Sequence, residues 1–201
     1  MRPAFRRLRL GLVLSSLLAL WPNSLLAQGL TYGPKGGLDL TRVVFSSSFA
    51  PDTSWRPGAV VGGFVGVNLY HRLSIRGEGL LTIQEVPFEK IVTDTFRFLD
   101  VPVLLRYRAV SVYGHQVHAV GGFIGRYLID AMESDGEDST SIKEGVAQSN
   151  RLLTIGGSIN IRSHWTADVR YLHGLDGMYK RIGGGTVGKS RAIQITGEYA
   201  F

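Results

Sequence analysis

From residue 28 onward, apolar side chains recur at every second position in segment after segment, separated by clusters of Gly, Ser, Asp and Asn. A period of two sends successive side chains to opposite faces of a strand, so the pattern predicts an all-β chain. Residues 73–84 show it most plainly: Leu73, Ile75, Gly77, Gly79, Leu81 and Ile83 share one face, and Ser74, Arg76, Glu78, Leu80, Thr82 and Gln84 share the other. Only Leu80 breaks the division. Segments 98–107, 151–162, 165–172 and 192–201 repeat it, and weaker versions at 35–45, 59–69 and 117–129 complete a set of eight strands. VGGFVG (61–66) and VGGFIG (120–125) look like a repeat, but their odd separation switches equivalent residues between faces, which leaves the facing of 59–69 open.

A soluble barrel or sandwich would alternate in the same way, so the content of the two faces has to decide. The polar face carries Lys35, Asp39, Arg76, Glu78, Asp100, Arg106, Arg126, Arg162, Asp168, Arg170 and Glu198, whereas the apolar face of these segments carries charge only at Arg42 and Arg151. The connections alternate too, with about 12 residues after the first strand, about 12 around Pro87, about 20 around Gly136 and about 15 around Gly184, against short turns at 70–72, Gly114 and 163–164; this is the outer-loop and periplasmic-turn asymmetry of membrane barrels. With the apolar face toward lipid, Tyr107, Trp165, Tyr199 and Phe201 gather near one end and Tyr127 and Tyr171 near the other, as interfacial girdles do. An open strand edge cannot be satisfied in hydrocarbon, so the sheet must close. The expectation is an eight-stranded antiparallel up-and-down transmembrane β-barrel in the outer membrane, with strands of about 10 to 13 residues and both mature termini periplasmic.

Composition changes this picture at the amino terminus. Arg2, Arg6, Arg7 and Arg9 precede an apolar run from Leu10 to Trp21 and a small-residue end at Ala27, the layout of a secretory signal peptide over 1–27, with the barrel domain over 28–201. The net charge of +6 comes from 22 basic and 16 acidic residues; without those four arginines, 18 basic residues remain and the charge falls to +2. The basicity is a targeting feature, and the electrostatic case for a nucleic-acid partner goes with it. No stretch approaches the roughly 18 unbroken apolar residues of a spanning helix. With no cysteine, thiolate metal sites, disulfides and cysteine nucleophiles are excluded.

Three motifs invite chemistry. GGGTVGKS (183–190) has the G-x-x-x-x-G-K-[ST] spacing of a phosphate-binding loop, but such a loop needs a helix after it, and alternating strand follows; a Gly-rich outer loop is the expectation. ESDGEDSTS (133–141) gathers Glu133, Asp135, Glu137 and Asp138 without the spacing of a calcium loop, and reads as a solvated outer loop. His173 stands near Asp176 and Ser190, the residue types of a hydrolase, yet a surface histidine is favoured over a catalytic one. No catalytic residue, metal or cofactor is expected. An eight-stranded bore is just wide enough for side chains, so Arg76, Glu78, Asp100, Arg106, Arg126, Asp168, Arg170 and Glu198 are expected to pair into a structural lumen network, a small selective channel being the alternative and an outer-membrane hydrolase the third reading.

The ending AIQITGEYAF, with Tyr199 and Phe201 on the face of Ile193 and Ile195, looks like the assembly signal of bacterial outer-membrane barrels. With GPKGGLDLT (33–41), FLDVPVLLRY (98–107), GGFIGRYL (121–128) and DVRYLHGL (168–175) in order, the mature chain resembles the small PorT-like outer-membrane β-barrel family. That resemblance implies a Gram-negative outer membrane, with its lipid and the barrel-assembly machinery as partners and an envelope protein as a further possible one, but little about activity. Protein purified from membranes is expected to begin within a few residues of Gln28 by intact mass. A retained segment from Met1 to Ala27 would overturn the signal reading.

Overall fold

The structure, a computed structural model, describes residues 29–45, 54–87, 93–134, 139–180 and 186–201. The expected signal segment over 1–27 and residues 135–138 of the acidic run lie outside them. The chain divides after Leu30, and Thr31–Phe201 is the barrel unit. Its strands are β1 (Leu30–Val44), β2 (Arg56–Tyr70), β3 (Leu73–Pro87), β4 (Thr93–Val112), β5 (His115–Ser134), β6 (Ser139–Ser141), β7 (Ser149–Asn160), β8 (Trp165–Lys180) and β9 (Thr186–Tyr199), with one 3₁₀ turn at Lys143–Gly145.

All strands but β6 form a ring in which each pairs with its sequence neighbour, β5 pairs with β7, and β9 returns to β1 in continuous register from Lys35↔Glu198 to Val44↔Lys189. The short β6 lies on the outer part of β5, opposite Met132–Ser134. The chain therefore forms a closed eight-stranded antiparallel barrel in which every wall strand has two partners, which removes the open edge that lipid forbids.

Burial follows the two-residue period with the usual polarity reversed. Leu99, Val101, Val103, Leu105 and Tyr107 of β4 are exposed, while Asp100, Leu104 and Arg106 between them are buried. Ile155 is 69% exposed beside Thr154 at 5%. A soluble protein would show the opposite, because apolar surface of this extent in water costs too much. Leu80, the exception in its strand, is buried in the lumen. The two similar Gly-rich segments do switch face: Phe64 is buried inside while Phe123 is 65% exposed outside.

Several inward positions are glycine, and each pairs with a large inward side chain: Gly66↔Arg76, Gly62↔Leu80, Gly122↔Leu104 and Gly156↔Arg170. At Gly156 an added Cβ would meet the Val169 carbonyl oxygen at 2.1 Å, and at Gly122 the Val103 carbonyl oxygen at 2.2 Å. These glycines let neighbouring strands bend together and leave the bore to the partner side chain.

One end of the ring is made of tight turns. β2 passes to β3 through His71 and Arg72, with His71 at φ 29°. β4 passes to β5 through Tyr113 (φ 50°) and Gly114 (φ 81°), the paired positive φ values of a two-residue type I′ hairpin. At this turn end Trp165, Tyr199, Phe201 and Tyr32 form a chain of ring contacts with centroids 5.2 to 5.5 Å apart. The last residue is tied in, since the Phe201 amide donates to the Tyr32 carbonyl at 2.9 Å.

The opposite, loop end departs from the sequence expectation. The eight wall strands run 12 to 20 residues, not 10 to 13, because β3, β4, β5 and β8 keep pairing beyond the apolar belt. Most of what reads as long loop is strand: the β3–β4 connection shrinks to 88–92, and Thr186–Ser190 of the Gly-rich motif belongs to β9. Beyond the segments, the outward face carries further charge at the loop end. Arg97 and Asp130 face outward 3.6 Å apart, and Arg191, between inward Ser190 and Ala192, stands across from outward Arg42. Arg97 and Arg191 each sit one residue before the segments at 98–107 and 192–201. From Tyr107 to Arg97 is ten steps of one strand, which at about 3.3 Å per residue and a tilt of about 40° gives an apolar band of about 25 Å.

Replacing Val103, near the middle of the apolar band, by arginine is expected to destabilise the barrel by about 2 to 4 kcal/mol, measured by denaturant unfolding in lipid vesicles, and the same change at Ile159, near the turn end, by less. In cysteine-scanned protein, a lipid-soluble maleimide should label positions 103 and 159 in preference to 158 and 166. The reverse preference would mean that the apolar face is not in the membrane.

Candidate functional site

The eight residues predicted to form a lumen network all lie inside the barrel, and the structure joins them, with Lys35, Asp39 and Gln84, into layers that cross the bore. In the eight-membered ring, β3 stands opposite β8, β4 opposite β9, and β1 opposite β5. Nearest the turn end, Arg106 of β4 donates to Ser158 Oγ at 2.7 Å and reaches Glu198 of β9 at 3.7 Å. Glu198 also accepts from Arg76, whose guanidinium lies 4.0 Å from the Phe64 ring centroid.

In the next layer Arg170 of β8 spans the diameter to Glu78 of β3, donating from Nη1 and Nη2 at 2.7 and 2.6 Å, while its Nε lies 2.6 Å from Asp168. Lys35 Nζ sits among Glu78, Glu198 and Asp168 at 3.2, 3.5 and 3.7 Å. Higher up, Arg126 of β5 makes a two-pronged pair with Asp100 at 2.7 and 2.8 Å and donates to Gln84 at 3.1 Å. Gln84 passes the connection to Asp39 of β1, which also accepts from Thr41. Planar guanidinium forks suit these two-point contacts, which explains arginine in place of lysine at the fully buried positions 126 and 170.

Above the charges the lumen becomes apolar. Val43, Phe96, Phe98, Leu128, Ala131, Val146 and Met178 form one buried cluster with Phe45, Ile142 and Tyr179 packed against it. Residues 142–148 supply part of this cap by bridging β5 and β8 above the short β7: the Ile142 amide donates to Ala131, Leu128 to Gln148, and Ala147 to Met178. The Phe98 ring lies on the loop-end side of Arg126, 4.7 Å from its guanidinium, so the cap rests on the Arg126 charge layer.

The sequence pattern placed Lys35, Asp39 and Gln84 on the polar face but left them out of the network, and it did not anticipate the cap. The signal for Phe96 and Phe98 was present, since they extend the inward parity of Asp100 past Arg97. Arg162, also placed on the polar face, is exposed at the turn end and joins no layer.

The other motifs are not assembled into sites. His173 shares the outward face of Tyr171 while Ser190 is buried in the lumen, and Asp176 is engaged by Arg151 at 3.0 Å, so no Ser-His-carboxylate array forms. Within the phosphate-loop motif, strand β9 begins at Thr186 and no helix follows. Asp135, Glu137 and Asp138 lie outside the described residues, and among the described residues no group of acidic or histidine side chains is placed to hold a metal.

A closed barrel with charge inside and an apolar belt outside is the construction of outer-membrane proteins. Residues 26–180 match the outer membrane protein beta-barrel domain family, and the chain belongs to that family. It is similar to solved barrels: Ail, the attachment invasion locus protein of Yersinia pestis, at 12% identity, 86% of this chain, 99% of that one and a TM-score of 0.50. The same protein in complex with the heparin analogue sucrose octasulfate matches at 11% identity, 87% and 100% coverage and a TM-score of 0.51. OprG from Pseudomonas aeruginosa matches at 11% identity, 86% and 96% coverage and 0.44. No curated protein matches the chain.

Arg126→Met would leave Asp100 and Asp39 buried without their cation, and is expected to cost about 3 to 5 kcal/mol in vesicle unfolding, part of it recovered by adding Asp100→Leu. Ile155→Ala on the lipid face should cost far less.

Proposed function

We propose that this protein is a non-enzymatic outer-membrane barrel with a sealed lumen, acting at its loop end as a structural or interaction protein, alone or within a larger envelope assembly. The observation that carries this reading is that the bore is crossed at every level by Arg106–Glu198, by Arg170–Glu78, by Arg126–Gln84–Asp39 and finally by the Phe96 cluster. A conducting path would have to part buried ion pairs, each stabilised only by its neighbours. The role of the eight predicted lumen residues is then structural.

The same reading sets the orientation. The tight turns and both mature termini face the periplasm, and the extended ends of β3, β4, β5 and β8 project outward, which agrees with the aromatic chain at Phe201 and the outward arginines at the loop end. The family match starting at residue 26 supports a separate leader over 1–27. The ordered motifs from GPKGGLDLT to the aromatic ending support a PorT-like member of the family, served by the barrel-assembly machinery through Tyr199 and Phe201. An enzymatic reading has no such support, since His173 and Ser190 point away from each other.

Single-channel recording on refolded protein is expected to show no regular conductance steps; regular steps would overturn the sealed lumen and favour a channel. Deleting Phe201 should lower the outer-membrane yield and raise periplasmic degradation, while full-length protein should shift on gels between unboiled and boiled samples. Normal assembly of the deletion would remove the terminal signal from the reading.

A further inference from the structure

The lumen is neutralised unevenly along its axis. Toward the loop end, among the described residues, one cation, Arg126, pairs with Asp100 and reaches a second buried acid, Asp39, through Gln84. Toward the turn end, Lys35, Arg76, Arg106 and Arg170 face only Glu78, Asp168 and Glu198, so one positive charge is left over before the mouth is reached. The mouth adds more. A cavity of about 260 Å³ opens there on the inner side of the β2–β3 turn, and its walls include His71, Arg72, Ser74, Arg108, Gln116 and His118 with no carboxylate among them.

The cavity is built and held. Arg108 donates from Nη2 to the His71 carbonyl and its amide donates to the Arg72 carbonyl at 2.8 Å, so the second arginine is fastened to the turn that carries the first. His118 Nδ1 is buried and makes no hydrogen bond within the chain, and Arg106 Nε and Arg76 Nε directly behind it are in the same state. Hydroxyl, amide and guanidinium donors thus converge on a space walled by cations. Like charges this close in a partly enclosed, low-dielectric cleft repel one another unless an anion lies between them.

We propose that the turn-end mouth of the lumen is a binding site for a phosphate-class oxyanion, with Arg72 and Arg108 as its main contacts and Ser74 and Gln116 as hydrogen-bonding groups. The guanidinium forks match the geometry of a phosphate or phosphate ester. The cavity is lined from the inward face of the wall, so the ligand enters along the barrel axis, which a soluble phosphate ester can do more readily than the headgroup of a lipid packed against the outer wall. The chemistry of the site does not depend on orientation. Only the compartment supplying the ligand rests on the reading that the turns face the periplasm.

The test is calorimetric titration of inorganic pyrophosphate into full-length protein in phosphatidylcholine nanodiscs at low salt. Saturable binding is expected, weakened about tenfold by Arg72→Gln and by Arg108→Gln and unchanged by Lys143→Gln at the far end. Arg72→Gln removes no hydrogen bond of the fold, so it separates ligand contact from stability, and the boiled-against-unboiled gel shift checks that each variant is closed. Repeating the titration in phosphatidylglycerol nanodiscs distinguishes the sources: unchanged affinity assigns a soluble ligand, and competition by the lipid assigns an anionic headgroup. Absence of saturable binding in phosphatidylcholine, or equal affinity in both arginine variants and the unaltered chain, would overturn the proposal.

Discussion

Charge buried behind a lipid-facing wall can be solvated only by other side chains, and in this barrel that requirement is met chiefly by the contact of Arg170 with Glu78 across the bore. Its two hydrogen bonds join walls on opposite sides of the ring, and Lys35, Asp168 and Glu198 close around them. Because the polar residues satisfy one another inside, the alternate positions are free to be apolar outside. Glycine at the register partner of Arg170 belongs to the same constraint, since the guanidinium has to pass over the neighbouring strand to reach its partner. Fold and membrane face both depend on this inward pairing.

The pairing is also non-local. Arg76 and Glu198 are 122 residues apart, and Arg170 and Glu78 are 92 apart. The layers that use Glu198 are completed only by β9, which brings that carboxylate to Arg76, Arg106 and Lys35, and the β1–β9 seam forms only when the last strand arrives. High sequence separation of this kind makes unassisted folding slow, in keeping with the idea that Tyr199 and Phe201 are recognised while the barrel is still open.

Much of this was legible in the sequence, because a period of two reports facing directly. The inward charges and the outward run from Leu99 to Tyr107 could be read without structure. What escaped had physical reasons. Arg97 and Arg191 were lost because strand pairing continues past the lipid belt, where polarity no longer alternates and composition imitates a loop. The switch between Phe64 and Phe123 was implied by the odd spacing, but it could not be assigned while the three strand positions next to Phe64 were glycine or valine. Residues 142–148 carry neither period, so only the three-dimensional gap above β7 explains why Val146 is buried. The arginine-lined mouth was missed because Arg72 belongs to the β2–β3 turn and Arg108 to strand β4, and the two are brought together by β3–β4 pairing alone.

The unequal strand lengths have one more consequence. β4 and β5, at 20 residues each, rise above the short β7, and a raised hairpin would normally offer a bare backbone edge to any passing strand. Here the flank of β5 is occupied: β6 pairs with Met132–Ser134, the Ile142 amide caps Ala131, and Lys143 Nζ donates to the Ile129 carbonyl at 2.7 Å. The other flank is covered by β3 as far as Pro87↔Thr93. The backbone edges of β4 and β5 in this projection are therefore occupied by the chain's own segments, and whatever meets these two strands must recognise their side chains and not their backbone.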